Sequence, residues 1–162
     1  MPLEIERKFL IANDGWRQLV SHSKVMRQGY LGAVGGKASI RVRLHDEEAR
    51  LNIKASVVGS ARAEYEYEIP SAEAQEILET LCVGRIDKTR HYVELGHDNL
   101  VWEIDEFHGE NDGLIVAEIE LTDAQQDFAR PAWLGKEVTE EKRYYNHALA
   151  QCPFRSWNES GN

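Results

Sequence analysis

Apolar and polar residues alternate with a period of two through most of the chain, in short runs divided by turn-forming residues, the pattern of antiparallel strands. Eight such runs lie near 3–11, 24–32, 38–46, 49–57, 62–70, 85–94, 99–108 and 113–122. Turns fall at Gly35-Gly36, Asp46 to Glu48, Gly59-Ser60, His97-Asp98 and Gly109 to Gly113. Most joins are short enough for hairpins, so the pattern predicts an antiparallel barrel or sandwich. Helical spacing occurs only between or after strands. A short helix is expected over 13–23 behind an Asn13 cap, and a second over 71–82, where Ala74, Ile77, Leu78 and Leu81 recur at helical spacing. Thr122 and Gln125 read as a capping box that opens a third helix running to Pro131, and a fourth covers 141–151.

Length and composition narrow the class. A chain of 162 residues fits one domain over 1–162, and 19 Lys plus Arg against 28 Asp plus Glu give a net charge of −9. That charge argues against nucleic acid or an anionic membrane as partner. Cys82 and Cys152 form no CxxC pair, the N-terminus lacks a signal-peptide run and no stretch is long and apolar enough to span a bilayer. The expectation is a cytoplasmic protein, monomer or homodimer, that takes a small-molecule substrate.

The charged faces change the picture further. On a strand, residues i and i+2 share a face. Glu4, Glu6 and Lys8 therefore oppose Ile5 and Phe9, and Arg41 with Arg43 oppose Ile40, Val42 and Leu44. Asn52 and Lys54 oppose Leu51 and Ile53; Glu64, Glu66 and Glu68 oppose Tyr65, Tyr67 and Ile69. Lys88 with Arg90, Glu103 with Asp105 opposite Trp102, and Glu118 with Glu120 opposite Ile119 complete the set. One strand alone reads as a sheet with a solvated face. Together, with some strands acidic and others basic, they also fit a barrel whose charged face points inward and whose apolar face lies under helices outside. Such a lumen holds water and ligands, because so many ions do not share a dry interior. Carboxylates suit Mg²⁺ or Mn²⁺, and Lys and Arg suit phosphate oxygens, so the combination predicts a metal-complexed polyphosphate.

Glu4-Ile5-Glu6-Arg7-Lys8 forms an ExExK motif, followed in order by QGYL at 28–31, SIRVRL at 39–44, IK at 53–54, YEYEIP at 65–70, KTR at 88–90, WEIDEFHG at 102–109, AEIEL at 117–121 and EVT at 137–139. This series resembles the CYTH, or triphosphate tunnel metalloenzyme, family across almost the whole chain. The resemblance implies a mainly β α+β fold, an eight-stranded antiparallel tunnel that binds a linear triphosphate and a divalent metal, Mg²⁺ or Mn²⁺. It implies Glu4, Glu6 and Glu120 as principal metal ligands, with Glu64, Glu66, Asp105 and Glu118 for a second metal or its water shell. Lys8, Arg41, Arg43, Lys54, Lys88 and Arg90 become the triphosphate clamp, with Arg27 a weaker addition. The segment 133–150 resembles one that plugs a tunnel mouth in short bacterial members. Lys142 or Arg143 then either reaches the phosphates or lies on a solvated helix face.

Phosphoryl hydrolysis needs charge neutralisation and a positioned water rather than a separate nucleophile. Glu4, Glu6 and Lys8 carry the catalytic reading. Tyr30 is a candidate base, its alternative being packing within its strand. The six histidines, His22, His45, His91, His97, His108 and His147, read as surface or satisfied groups. Tripolyphosphate hydrolysis is the expected activity of a short chain without a lid. Thiamine or nucleoside triphosphate hydrolysis, adenylyl cyclisation and a non-catalytic polyphosphate sensor are the alternatives, and a plain sheet with a protein partner is a further one.

Overall fold

The computed structural model describes residues 3–32, 36–96 and 98–157, so the expected turn residues Gly35 and His97 lie outside the described residues. Among these described residues nine strands occur in chain order: β1 (Leu3–Ile11), β2 (Val20–Leu31), β3 (Ala38–His45), β4 (Glu48–Ala55), β5 (Ala61–Ile69), β6 (Gly84–Glu94), β7 (Val101–Phe107), β8 (Ile115–Glu120) and β9 (Leu134–Glu137). Neighbours run in the order β5-β4-β3-β2-β6-β7-β8-β1, and a further β1–β5 pairing closes these eight into an antiparallel barrel. β9 was not expected. It extends the sheet along β1 beyond the reach of β5, with Phe9 opposite Glu137.

The outward apolar faces are covered in sections. Helix α1 (Ser71–Thr80) packs Ala74 and Leu78 onto Val42, Leu44 and Ala49 of β3 and β4. Gly29 in β2 makes room for the chain that leaves this helix, because a Cβ there would collide with the Cys82 sulfur. The outer faces of β1, β6, β7 and β8 bury Phe9, Val93, Trp102, Ile104 and Ile119 beneath Trp16, Phe128 and Trp133. Tyr65 and Tyr67 on β5 remain exposed.

Three of the four expected helices take other forms. The first is a 3-10 turn, Asp14–Leu19, with Asn13 capping Gly15 as expected, and β2 begins at Val20. No helix forms over 122–131. There the Gln126 side-chain oxygen accepts from both the amide and the hydroxyl of Thr122, and Asp123 accepts from the Gln125 amide. These local side-chain bonds replace the helix ladder, and the irregular chain is free to lay Phe128 and Trp133 over Trp102. The fourth splits into a 3-10 turn, Lys142–Tyr144, and α2 (Asn146–Gln151), with Tyr145 extended between them.

That split closes the barrel at one end. Tyr144 and Leu149 pack against Ile86, Phe107, Leu114 and Val116, three of which stand on β6, β7 and β8. Phe107 lies two residues beyond Asp105, Ile86 two before Lys88 and Val116 two before Glu118, so each shares the lumen face of its strand. The lumen is thus apolar where the C-terminal segment enters and charged further along.

Candidate active site

Period-two geometry carries charged side chains of seven barrel strands inward, with Tyr30 from β2, where they enclose a cavity of about 200 Å³. Strand register sorts them into two walls. On the acidic wall Glu6 of β1 faces Glu120 of β8, and Glu118 lies between Lys8 of β1 and Glu103 of β7. Lys54 stands 3.0 Å from Glu4 and 3.5 Å from Glu64, and Arg62 reaches Glu4 at 3.7 Å and Glu6 at 3.2 Å. Burial resists ionisation of Glu6, but Lys54, a hydrogen bond with Glu118 and Lys8 together outweigh it, and the carboxyl stays below the usual range. Glu120 has no ion-pair partner among the described residues. Its carboxyl is pushed up, first by burial and then by Glu4, Glu103, Glu6 and Glu64.

The basic wall comes from β3, β6 and the far edge of β1. Arg41 is buried, and its Nε has no hydrogen-bond acceptor among the described residues. Arg43 donates to Gln28 at 2.9 Å, and its guanidinium is pushed down to about 9 by burial together with Arg41 and Arg90. Burial works against the charge on Lys8, yet Glu118 and Glu6 hold it above the ordinary lysine range. Such crowded cations are relieved by an anion.

Asp105, expected among the metal candidates, is fully buried beneath this wall. Lys88 donates to it at 2.7 Å and Arg90 at 2.7 and 2.9 Å. Burial resists its ionisation, but Arg90 and Lys88 bring the carboxyl down to about 2. The Lys88 ammonium is itself drawn below the lysine range by complete burial, with Asp105 pulling against it.

The sequence from 2 to 150 matches the profile of the CYTH domain. The chain belongs to the CYTH family. An inorganic triphosphatase of Acetivibrio thermocellus is 42% identical over 160 residues, covering 98% of this chain and 100% of that protein. An inorganic triphosphatase of Nitrosomonas europaea is 38% identical over 149 residues, covering 91% and 96%. The crystal structure of an inorganic triphosphatase superimposes with a TM-score of 0.65 at 36% identity, covering 91% of this chain and 97% of that one.

Within this CYTH barrel, Glu4, Glu6, Lys8, Tyr30, Arg41, Arg43, Lys54, Glu64, Glu66, Lys88, Arg90, Glu118 and Glu120 all line one cavity. Asp105 lies just beneath it, while Glu68 pairs with Arg50 at 2.8 Å outside it. Arg27 donates to Gln75 of α1 and does not line the cavity. Neither do Lys142 and Arg143; the Arg143 guanidinium covers the rings of Tyr144 and Trp157. Tyr30 is buried, and its hydroxyl accepts a hydrogen bond from Gln28 at 3.1 Å.

Several lining residues escape the sequence reading. Arg62 continues the alternation of Glu64 and Glu66, so period two alone points to it. Gln28 holds the same relation to Tyr30 but, wholly buried, stands behind the cavity wall. Tyr145, Asn146 and His147 line the cavity from the C-terminal segment and carry no periodic signal. His147, read with the other histidines as a surface or satisfied group, is the one of them that lines the cavity among the described residues. Burial, with Arg62 and Lys8 beyond it, pushes its imidazole down to about 4, and it is neutral at neutral pH.

The donor chemistry fits a hard divalent cation. Glu4, Glu6, Glu118 and Glu120 supply oxygen donors from adjacent strands, and the partnerless charge of Glu120 calls for a cation. Among the described residues no three His, Cys, Asp or Glu side chains converge at ligating distance of a common point. The oxygens of Glu4 and Glu6 turn to Lys54 and Arg62 instead.

Proposed function

We propose that this CYTH protein hydrolyses inorganic triphosphate to pyrophosphate and phosphate within its tunnel, with Mg²⁺ or Mn²⁺ at the acidic wall. The observation that carries the reading is the pairing of two opposite walls in one polar lumen, with the buried Arg41 Nε lacking an acceptor on the basic side. The naming of two relatives, at 42% and 38% identity, as inorganic triphosphatases supports the substrate.

Arg41, Arg43, Lys88 and Arg90 hold the phosphoryl oxygens from one side, and Lys8 and Lys54 from the border with the acidic wall. Glu4, Glu6 and Glu120 hold the metal, with Glu64, Glu66 and Glu118 around it. Once bound, the metal neutralises charge on the phosphoryl oxygens. The protein's task is to align the terminal phosphoryl group for in-line attack by water and to spread the charge of the departing pyrophosphate. Water adds to the terminal phosphorus, the bridging P–O bond breaks, and the proton lost from water leaves with the products or the acidic wall. Tyr30 suits hydrogen-bond donation to a phosphate oxygen better than proton abstraction, because its oxygen already accepts from Gln28.

Phosphate release from tripolyphosphate, ATP, thiamine triphosphate and pyrophosphate, each with Mg²⁺ and with Mn²⁺, tests the proposal. Tripolyphosphate is expected to have the largest kcat/KM and pyrophosphate a small one, since two phosphoryl groups leave part of the clamp unused. Thorough chelation is expected to abolish turnover. Full turnover without metal, or conversion of ATP to cyclic AMP in preference to tripolyphosphate hydrolysis, overturns it.

Arg41→Ala supplies a separate check on the clamp. Its loss removes a charge-assisted contact of about 1.5–3 kcal/mol, or roughly tenfold to a hundredfold in KM for tripolyphosphate. Melting temperature is expected to hold, because Arg41 has no ion pair to lose among the described residues. An unchanged KM removes Arg41 from the clamp.

A further inference from the structure

We propose that Asn146 is a positioning residue of the phosphate clamp, its side-chain oxygen holding Lys88 directly and Arg43 through Gln28 without adding negative charge beside them. The proposal deepens the triphosphatase reading and rests on it.

The direction of each hydrogen bond follows from which groups can donate. Arg43 Nε can only donate, and it meets Gln28 Oε1 at 2.9 Å. The Gln28 amide nitrogen must then face the other way, where it reaches the Tyr30 hydroxyl at 3.1 Å and Asn146 Oδ1 at 3.2 Å. Lys88 Nζ, also a donor only, meets the same Asn146 oxygen at 2.9 Å. Both amide orientations are therefore forced, and one carbonyl oxygen on the C-terminal segment ties together cations from β3 and β6. Of the three Lys88 protons, one goes to Asp105 at 2.7 Å and one to Asn146, which leaves the third for the cavity Lys88 lines.

The anchor is firm. Gln28 is wholly buried, and Asn146 stands between Tyr145, whose hydroxyl donates to the Thr139 carbonyl at 2.5 Å, and the buried Leu149. A carboxylate at 146 would accept the same two hydrogen bonds in the same place, and more strongly. It would also set a second anion against Lys88, which already faces Asp105, and weaken the attraction for a bound polyanion. The neutral amide fixes the donors and leaves their field to the substrate. In this way the C-terminal segment governs how tightly triphosphate is held, beyond closing the lumen.

Asn146→Asp and Asn146→Ala separate this role from a structural one. Asp keeps the shape and both acceptor contacts, while Ala loses both. A residue needed only for structure is hurt more by Ala. The charge-neutral positioning role predicts the reverse: Asn146→Asp raises KM for tripolyphosphate roughly tenfold or more, beyond the rise in Asn146→Ala, with a melting temperature close to wild type. Gln28→Glu keeps the acceptor for Arg43 and adds a charge but loses the amide donor to Asn146, whereas Gln28→Met loses both contacts; a larger rise in KM for Glu than for Met then decides the matter for charge should Asn146→Asp fold poorly. Calorimetric binding of tripolyphosphate, read well below each melting point, accompanies the kinetics. If wild type binds but does not hydrolyse tripolyphosphate, the triphosphatase reading fails, and the binding order of the variants still decides the role of Asn146. If Asn146→Ala is impaired more than Asn146→Asp, or Asn146→Asp matches wild type, the positioning role is overturned.

Discussion

Glu120→Gln is expected to lower kcat for tripolyphosphate by on the order of 100-fold or more while the melting temperature holds or rises. The two effects have one cause. Glu120 faces Glu6 across the β1–β8 pair and senses Glu4, Glu103 and Glu64 as well, with no cation paired to it among the described residues. Its carboxyl is raised above the usual range, so its ionisation costs the folded state nothing at low pH and progressively more as pH rises through the folded value. Gln keeps the strand and the volume and removes that cost. It also removes a charged oxygen donor from the place where a hard cation would bind. Thermal melts of wild type and variant at pH 4 and pH 8 test the first half: the gap is expected to open toward pH 8 in favour of the variant. A variant that melts well below wild type at pH 8, or keeps wild-type kcat, refutes the assignment.

Asp105→Ala is expected to act in the opposite sense on stability. Asp105 is the buried counter-ion of two buried cations, Lys88 and Arg90, and removing it leaves Lys88 without its carboxylate and Arg90 with Glu103 alone, 3.3 Å away. Breaking such a pair costs about 3–5 kcal/mol, which for a chain of this size lowers the melting temperature by roughly 10 °C. Activity falls with it, because the clamp loses the group that orients it. The pH dependence has a definite sign. The Asp105 carboxyl lies at about 2 in the folded protein, so its contribution is full above the unfolded carboxyl range and is lost as pH falls through about 2. Urea melts of wild type and Asp105→Ala are therefore expected to differ most near neutrality and to converge toward pH 2. Equal stabilities at pH 7 would show that Lys88 and Arg90 find other partners.

Much of the site is legible because a strand has only two faces. Once Glu4 and Glu6 alternate with Ile5, and Lys88 and Arg90 with Thr89, these charged residues share a side of their strand whatever the rest of the fold does. The roles of individual groups are less legible. Alternation puts Asp105 on the lumen face of β7, but only the pairing of β7 with β6 sets it opposite Arg90 and within reach of Lys88. Helix signals fared unevenly for a related reason. The 71–82 pattern has a packing partner in β3 and β4 and forms α1. The capping box at Thr122 has competing bonds from Gln126 and Asp123 close at hand, and it loses to them.

Strand spacing alone sets the mainly β architecture and which charged residues share a face, since both depend on a period of two along a local strand, whereas the metal and phosphate roles of individual residues on that face come from the family resemblance. The closure of the barrel through β1 and β5, the entry of Tyr144 and Leu149 at one end, and the meeting of Asn146 with Gln28 and Lys88 depend on the folded chain. These contacts join residues far apart in the chain, up to 118 positions for Gln28 and Asn146. No local periodicity encodes them. They form because a closed barrel leaves an apolar end that the C-terminal segment can bury, and that burial carries the neighbouring amide into the reach of the clamp.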